Sequence, residues 1–261
     1  MDTRDGDDEA QPHSQDMLAD ITKVTAEIVN LATLDLIAKM QPSKLPVERT
    51  RAAMYLNVVE SFQACLLLVR QNMETHAALH IRSMLETYVN MTMLRKDAAH
   101  LGQMDYDKVD GQLKLCKELL DDPYLSAGSI AELNRWRTKL EPEREGLRKA
   151  GYQKKFVSHM IKDADLPSLA VPYLNLNSIA HWDIGVLSER HEHEAGGLRI
   201  FAKTPPEVIL PILSTAIQVM ISAAETLEEV AKFPPGVYGQ LFGKMNEAWG
   251  RMLQEYDKNA L

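Results

Sequence analysis

The sequence predicts an all-α fold: a single bundle of about eight or nine helices behind a disordered acidic N-terminal arm. Three observations carry that expectation. Apolar residues recur at spacings of three and four through most of the chain. Leu, Ala, Met, Glu and Lys are plentiful while β-branched runs are rare. The 261 residues, 45% hydrophobic and 25% charged, are enough for one large buried core.

Taken in order, residues 1–15 read as a flexible arm and 16–261 as one domain. The arm is polar and acidic: residues 1–16 hold six acids and one Arg, which is most of the net charge of −8. A first helix over 16–40 buries Leu18, Ile21, Val24, Ile28, Leu31, Leu34 and Ile37 on one face. Gln41-Pro42-Ser43 breaks it, and Pro46 sits where a first-turn proline belongs, opening a helix over 46–70. The next helix, 74–98, is apolar nearly all round, which places it inside the bundle. A more polar region follows, with helices at 107–121, 129–149 and 152–163. Ser129 and Glu132 form a capping box at the second, and Pro142 is a point where it kinks or splits. A helix over 168–190 carries Tyr173, Asn177, His181 and Trp182. The stretch 191–203, with Gly196-Gly197 at its centre, reads as a short hairpin or an ordered loop. Thr204-Pro205-Pro206-Glu207 starts a helix running to 232, and a last amphipathic helix occupies 236–257. The core is expected from the helices at 16–40, 46–70, 74–98, 168–190 and 205–232.

Composition narrows the function classes. There is no Gly-rich phosphate loop, no Gly-x-Ser-x-Gly elbow and no paired Cys/His nucleophile. Cys65 and Cys116 share no metal-type spacing and fit a reducing compartment. His76 and His80 have the spacing of two ligands on one helical turn but lack the HExxH glutamate, and His191-Glu192-His193-Glu194 lies in a polar loop. No cofactor and no metal are expected. No signal peptide is visible, and the uncharged run 208–224 reads as a buried central helix in a cytoplasmic protein, not as a membrane span. Residues 131–162 hold nine Lys/Arg against four Glu, interleaved with Trp136, Tyr152 and Phe156. That pattern is either a solvated hairpin or a nucleic-acid face. A homodimer is a further expectation, resting on Met-rich helix faces left exposed.

The candidate site is a set of polar residues on two otherwise apolar helices. Arg82 and Glu86, four residues apart, share one helix face. An ionised pair in apolar surroundings is costly to desolvate and needs further partners. Tyr173, Asn177 and His181 stand at i, i+4 and i+8 and line one stripe, with Ser178 beside them. A neutral His both donates and accepts, so the stripe can exchange protons or can satisfy the ion pair. Either a structural clamp or a ligand site follows, and the sequence leaves open whether the chain is an enzyme.

The segment Ala78 to Glu86, with Arg82-Ser83-x-x-Glu86, followed downstream by Tyr173, Asn177 and His181, resembles the uncharacterised bacterial family DUF5677. That family shows an Arg-Ser-x-x-Glu helix and a later Tyr-x-x-x-Ser-x-x-x-His helix. Asn177 stands where the family has Ser, with Ser178 adjacent. The resemblance implies an all-helical fold and pairs the two helices, and it implies no activity. The first functional expectation is therefore a helical binding or regulatory module whose central cluster is structural or holds a small polar ligand. The alternative is a HEPN-type ribonuclease or nucleic-acid-binding defence protein using Arg82 and His181. Helical ribonucleases of that class place an Arg, roughly four to six residues, then a His. Arg70 with His76 and Arg95 with His100 both have the spacing, but 13 Arg and 8 His make such matches common by chance.

Overall fold

The computed structural model describes residues 12–180, 184–192, 197–198 and 204–259; for 12–16, 186, 189–190, 206–207 and 255–259 it describes the backbone alone. Most of the expected arm therefore lies outside the described residues. Those described are mostly α-helical; the rest form short 3₁₀ turns, a π-helical stretch, two two-residue strands, one isolated bridge and the turns and loops that join them. Their contacts divide the chain into two compact units, residues 1–91 with 165–261, and residues 92–164.

The first unit contains α1 (Pro12–Asn30), α2 (Pro46–Arg70), most of α3 (Glu74–Lys96), α7 (Ala170–Ala180), α8 (Ile184–His191), α9 (Pro206–Glu225) and α10 (Val237–Asn259). Helix α9 packs against α1, α2, α7 and α10. It buries Leu213, Ala216, Ile217, Met220, Ala223 and Ala224. Helix α10 belongs to this core, contrary to the expected set, because Leu241, Met245, Ala248 and Met252 recur along one face and are all buried. Pro46–Arg70 and Val208–Glu229 are both long and apolar enough to cross a membrane, and half of each apolar window is buried among neighbouring helices.

The first helix departs from the expected stripe. Beyond Asn30 it continues as a π-helix, Leu31–Ile37. The wider i→i+5 turns carry the buried face forward through Ile28, Ala32 and Leu36. Leu34, expected inside, is 70% exposed. The methionine argument for a dimer also fails, since none of the described methionines is exposed and Met84, Met91, Met220 and Met245 are core residues.

The helix expected to reach 232 ends at Glu225. Thr226 returns its hydroxyl to the Ala223 carbonyl (3.1 Å), and a 3₁₀ turn follows over Leu227–Glu229. Ala231–Lys232 (β2) then pairs antiparallel with Gln41–Pro42 (β1), the segment read as a plain helix break. The pairing is extended by the Ser43 amide donating to the Val230 carbonyl (2.9 Å). Nearby, the Tyr238 hydroxyl lies 2.8 Å from the Glu225 carbonyl and 3.1 Å from that of Ala224, capping carbonyls that the helix end leaves without partners. Burial, reinforced by Glu228, Glu225 and Glu229, pushes its phenol up to about 12. Buried Arg51 pairs with Glu229 at 2.7 Å, while its Nε and the Tyr55 hydroxyl one turn on have no hydrogen-bond partner.

The second unit holds α4 (His100–Leu120), α5 (Ala127–Lys149) and α6 (Val157–Asp163). Helices α4 and α5 form an antiparallel hairpin around Val109, Leu113 and Leu140, with Leu147 at its margin. Helix α4 begins earlier than expected and runs through Gly102. A Cβ there would fall 2.4 Å from the Tyr152 ring, so the aromatic ring occupies the space that any larger residue would need. Pro142 neither splits α5 nor ends it. The cap of α5 is Ser126, whose hydroxyl accepts from the Ser129 amide at 3.1 Å; Ser129, expected as the cap, is already inside the helix. Replacing Ser126 by Ala is expected to cost about 1 kcal/mol in urea unfolding followed by circular dichroism, and Ser129→Ala less. Equal losses would return the cap to Ser129.

Candidate functional site

Helix α3 is not wrapped by apolar neighbours on every side. Ile81, Met84, Leu85 and Val89 point into the core, but Leu79 is exposed and Arg82, Glu86 and Asn90 lie along a partly open face. The i, i+4 spacing brings Arg82 Nε within 2.9 Å of Glu86 Oε1. The side chains are 26% and 34% exposed, so the pair is wetted and escapes the full desolvation cost of a buried one.

Helix α7 supplies the second wall. Buried Tyr173 presents its ring to the Arg82 guanidinium, 5.9 Å from ring centroid to carbon. Its hydroxyl approaches Glu86 Oε1 at 3.5 Å, the outer limit of a hydrogen bond. Burial acts most strongly on Arg82 and favours its neutral form. The hydrogen bond and charge of Glu86, then Tyr173, outweigh that and hold its pKa above the ordinary value. The side-chain amide of Asn90 donates to the Glu86 carbonyl at 2.9 Å, tying down the backbone beneath the pair.

One turn along α7 from Tyr173 lies Asn177. Its Oδ1 is buried and has no hydrogen-bond partner. Buried acceptors are nearly always paired, so an orphan one turn from Tyr173 is the unusual feature here. His181 and Trp182 lie outside the described residues, so four of the five candidate side chains have described positions and the fifth does not. Also outside are His193 and Glu194; the hairpin alternative for 191–203 is represented by a bridge between Glu192 and Leu198.

Both Arg-to-His ribonuclease spacings cross a helix junction. Arg70 ends α2, and His76 lies in α3 beyond the turn at Asn72. Arg95 is in the last turn of α3, and His100 begins α4. Neither spacing therefore lies on one helix. Nor is the basic stretch a bare row of cations: Arg135, Arg137 and Arg148 pair with Glu132, Glu141 and Glu145 of the same helix, and Arg144 reaches Asp110. Among the described residues, no three His, Cys, Asp or Glu side chains are placed to hold a metal ion.

Two acids, Glu74 and the exposed Glu229, escaped sequence reasoning. Glu74 looked like an ordinary first-turn carboxylate, yet it is buried and accepts from the Thr204 hydroxyl at 3.2 Å. Glu229 meets Arg51 across 178 residues of sequence, a separation that carries no local signal.

Among the described residues the chain is almost wholly helical, and an Arg–Glu–Tyr cluster bridges α3 and α7. Residues 52–198 match the model of DUF5677, a family of unknown function, and with more than half of its length covered the chain belongs to that family. No curated protein matches it, and no solved structure does.

Two outcomes follow from these positions. Because the ion pair is wetted, Glu86→Gln should lower stability by no more than about 1 kcal/mol; a loss of several kcal/mol in chemical denaturation would make the pair a buried clamp. His100 is buried, and burial, then Lys155, lowers its pKa below 6.5. A depressed folded-state pKa means stability is present above the unfolded value and lost as pH falls. Unfolding free energy should therefore decline below about pH 6.5, and His100→Gln should remove that part of the decline.

Proposed function

We propose that the chain is a helical binding or regulatory protein, and that Arg82, Glu86, Tyr173 and Asn177 hold a small polar ligand. The observation that carries this reading is Asn177 Oδ1, a buried acceptor without a partner one helical turn along α7 from Tyr173, whose hydroxyl approaches the half-open ion pair. An acceptor left in that state costs roughly 1–3 kcal/mol, a cost that pairing with a ligand's N–H or O–H would recover. Arg82 and Glu86 offer both charges on one partly open helix face, which suits a neutral or zwitterionic molecule better than a strongly charged one. His181 belongs to the same stripe of the sequence and is proposed as a further contact. The ribonuclease reading draws less support, because its Arg-to-His spacings straddle helix junctions and the arginines of α5 are engaged by acids.

Thermal shift measurements with free amino acids and nucleosides at millimolar concentration supply the test. At least one compound should raise the melting temperature of the natural chain, and the rise should vanish in Asn177→Leu and shrink in Tyr173→Phe. Without ligand, Asn177→Leu should itself be more stable by about 1 kcal/mol, since it removes an unsatisfied acceptor. If Asn177→Leu is instead destabilised and no compound shifts the natural chain, the cluster is structural.

A further inference from the structure

We infer that residues 152–156 form a strap over the N-terminal half of α4, and that the strap opens when His100 takes up a proton. The inference concerns the second unit alone and is independent of the α3–α7 ligand reading. It goes beyond a loss of global stability in acid, because the strap responds while the helices stay folded.

The strap is built from a few contacts. Helix α5 ends at Lys149, and Gly151, at φ 96°, turns the chain back so that the Tyr152 amide donates to the Leu147 carbonyl at 3.1 Å. From Tyr152 to Phe156 the backbone has no regular structure, and α6 begins at Val157. The Tyr152 ring fills the space over Gly102. The Gln153 carbonyl accepts from the side-chain amide of buried Gln103 at 2.7 Å. Lys155 acts on the charge of buried His100 and pairs with Asp163 of α6 at 3.6 Å. His100, Gly102 and Gln103 share one turn of α4, and each has a strap residue in contact or within electrostatic reach. Residues 153–156 are otherwise exposed, with Lys154 lying 5.8 Å from the Phe156 ring. A segment held by one ring, one hydrogen bond and a wetted ion pair opens far more readily than the 21-residue helix beneath it.

The charges around His100 set the direction. Asp107, two turns along α4, and Asp97, at the α3–α4 junction, favour the imidazolium. Burial, then Lys155, oppose it and prevail, so the closed strap holds the imidazole below its usual 6.5. Lys96 adds positive charge at the margin through its bond to the Asp163 carbonyl at 2.8 Å, and Lys154 does so beside Asp107. Opening takes Lys155 away and admits water, which returns His100 towards its ordinary value. A histidine whose pKa is lower in the closed form favours closure at high pH and opening as pH falls through the value of the open form. Asp107 works in the opposite sense: burial holds its carboxyl above 3.8, so its protonation favours closure.

The Tyr152 ring over Gly102 supplies the readout. In nuclear magnetic resonance of the full chain carrying isotope-labelled glycine, the Gly102 α-protons should show a ring-current shift at about pH 7.5 that is lost towards about pH 5, while the helical circular dichroism holds. Tyr152→Leu, which removes the ring, identifies the signal. His100→Gln should keep the shift throughout that range. Lys155→Gln, which removes the cation beside His100, should shrink the pH-dependent loss, and Asp107→Asn should enlarge it. His159 is the other imidazole at the strap, exposed and 5.9 Å from the Phe156 ring, and His159→Gln should leave the loss unchanged. A Gly102 shift that is constant with pH overturns the inference. So does a loss that survives His100→Gln, one that disappears in His159→Gln, or one that appears only together with loss of the helical signal.

Discussion

The burial of α9 is the constraint on which the first unit depends. From Val208 to Ala224 the helix carries no formal charge, so water is a poor neighbour on almost every side. Each large apolar side chain it buries contributes on the order of 1.5–3 kcal/mol, provided that some other helix covers it. That demand fixes the roles of α1, α2 and α10, which lay their apolar stripes around it, and of α7, which closes one flank. The candidate site is a by-product of the same arrangement. Helix α7 reaches α9 with Leu176 and turns Tyr173 towards Arg82 and Glu86, so the polar cluster forms at the margin of the apolar core.

Polar atoms are placed at the ends of this core with unequal care. At the C-terminal end of α9, Tyr238 satisfies two carbonyls and Arg51 meets Glu229. One turn away from Arg51, the hydroxyl of Tyr55 is enclosed with no partner, and burial raises its pKa further than that of Tyr238. Asn177 repeats the pattern on α7. Such atoms weaken the fold locally, and proteins retain them where something other than stability is at stake. Asn177 lies one turn from Tyr173 of the candidate cluster, as Tyr55 lies one turn from Arg51 of the pair with Glu229.

Where local chemistry alone decides the outcome, the sequence was legible. Helix α2 begins at Pro46 and ends at Arg70 as expected, because a first-turn proline and a following turn are written into the chain. The Arg82–Glu86 contact follows from spacing. Features decided by distant partners were not legible. The π-helical stretch moves Leu34 out and Ala32 and Leu36 in, a shift with no signature in an apolar pattern that fits either register. The β1–β2 pair joins segments almost two hundred residues apart, so each looked like a loop or a helix end by itself. Exposure was the chief omission at the site: composition gave α3 an apolar surround, and only its packing reveals that one face stays open to solvent. Asn177 was legible as part of a stripe, but its lack of a partner belongs to three dimensions alone.

The first unit is discontinuous, since residues 92–164 are interposed between its two parts. Helices α1 and α2 therefore leave the ribosome long before α9 and α10, the helices that α1 packs against, exist. At ordinary elongation rates of about 5–20 residues per second, that interval lasts roughly 10–40 s. During synthesis α1 has only α2 to pack against, and the face that α9 and α10 will cover stays open, while α4 and α5 can pair as soon as both have emerged. The order of assembly is thus the reverse of the order of the chain at its N-terminus, and the nascent protein presents the kind of surface that holding chaperones recognise.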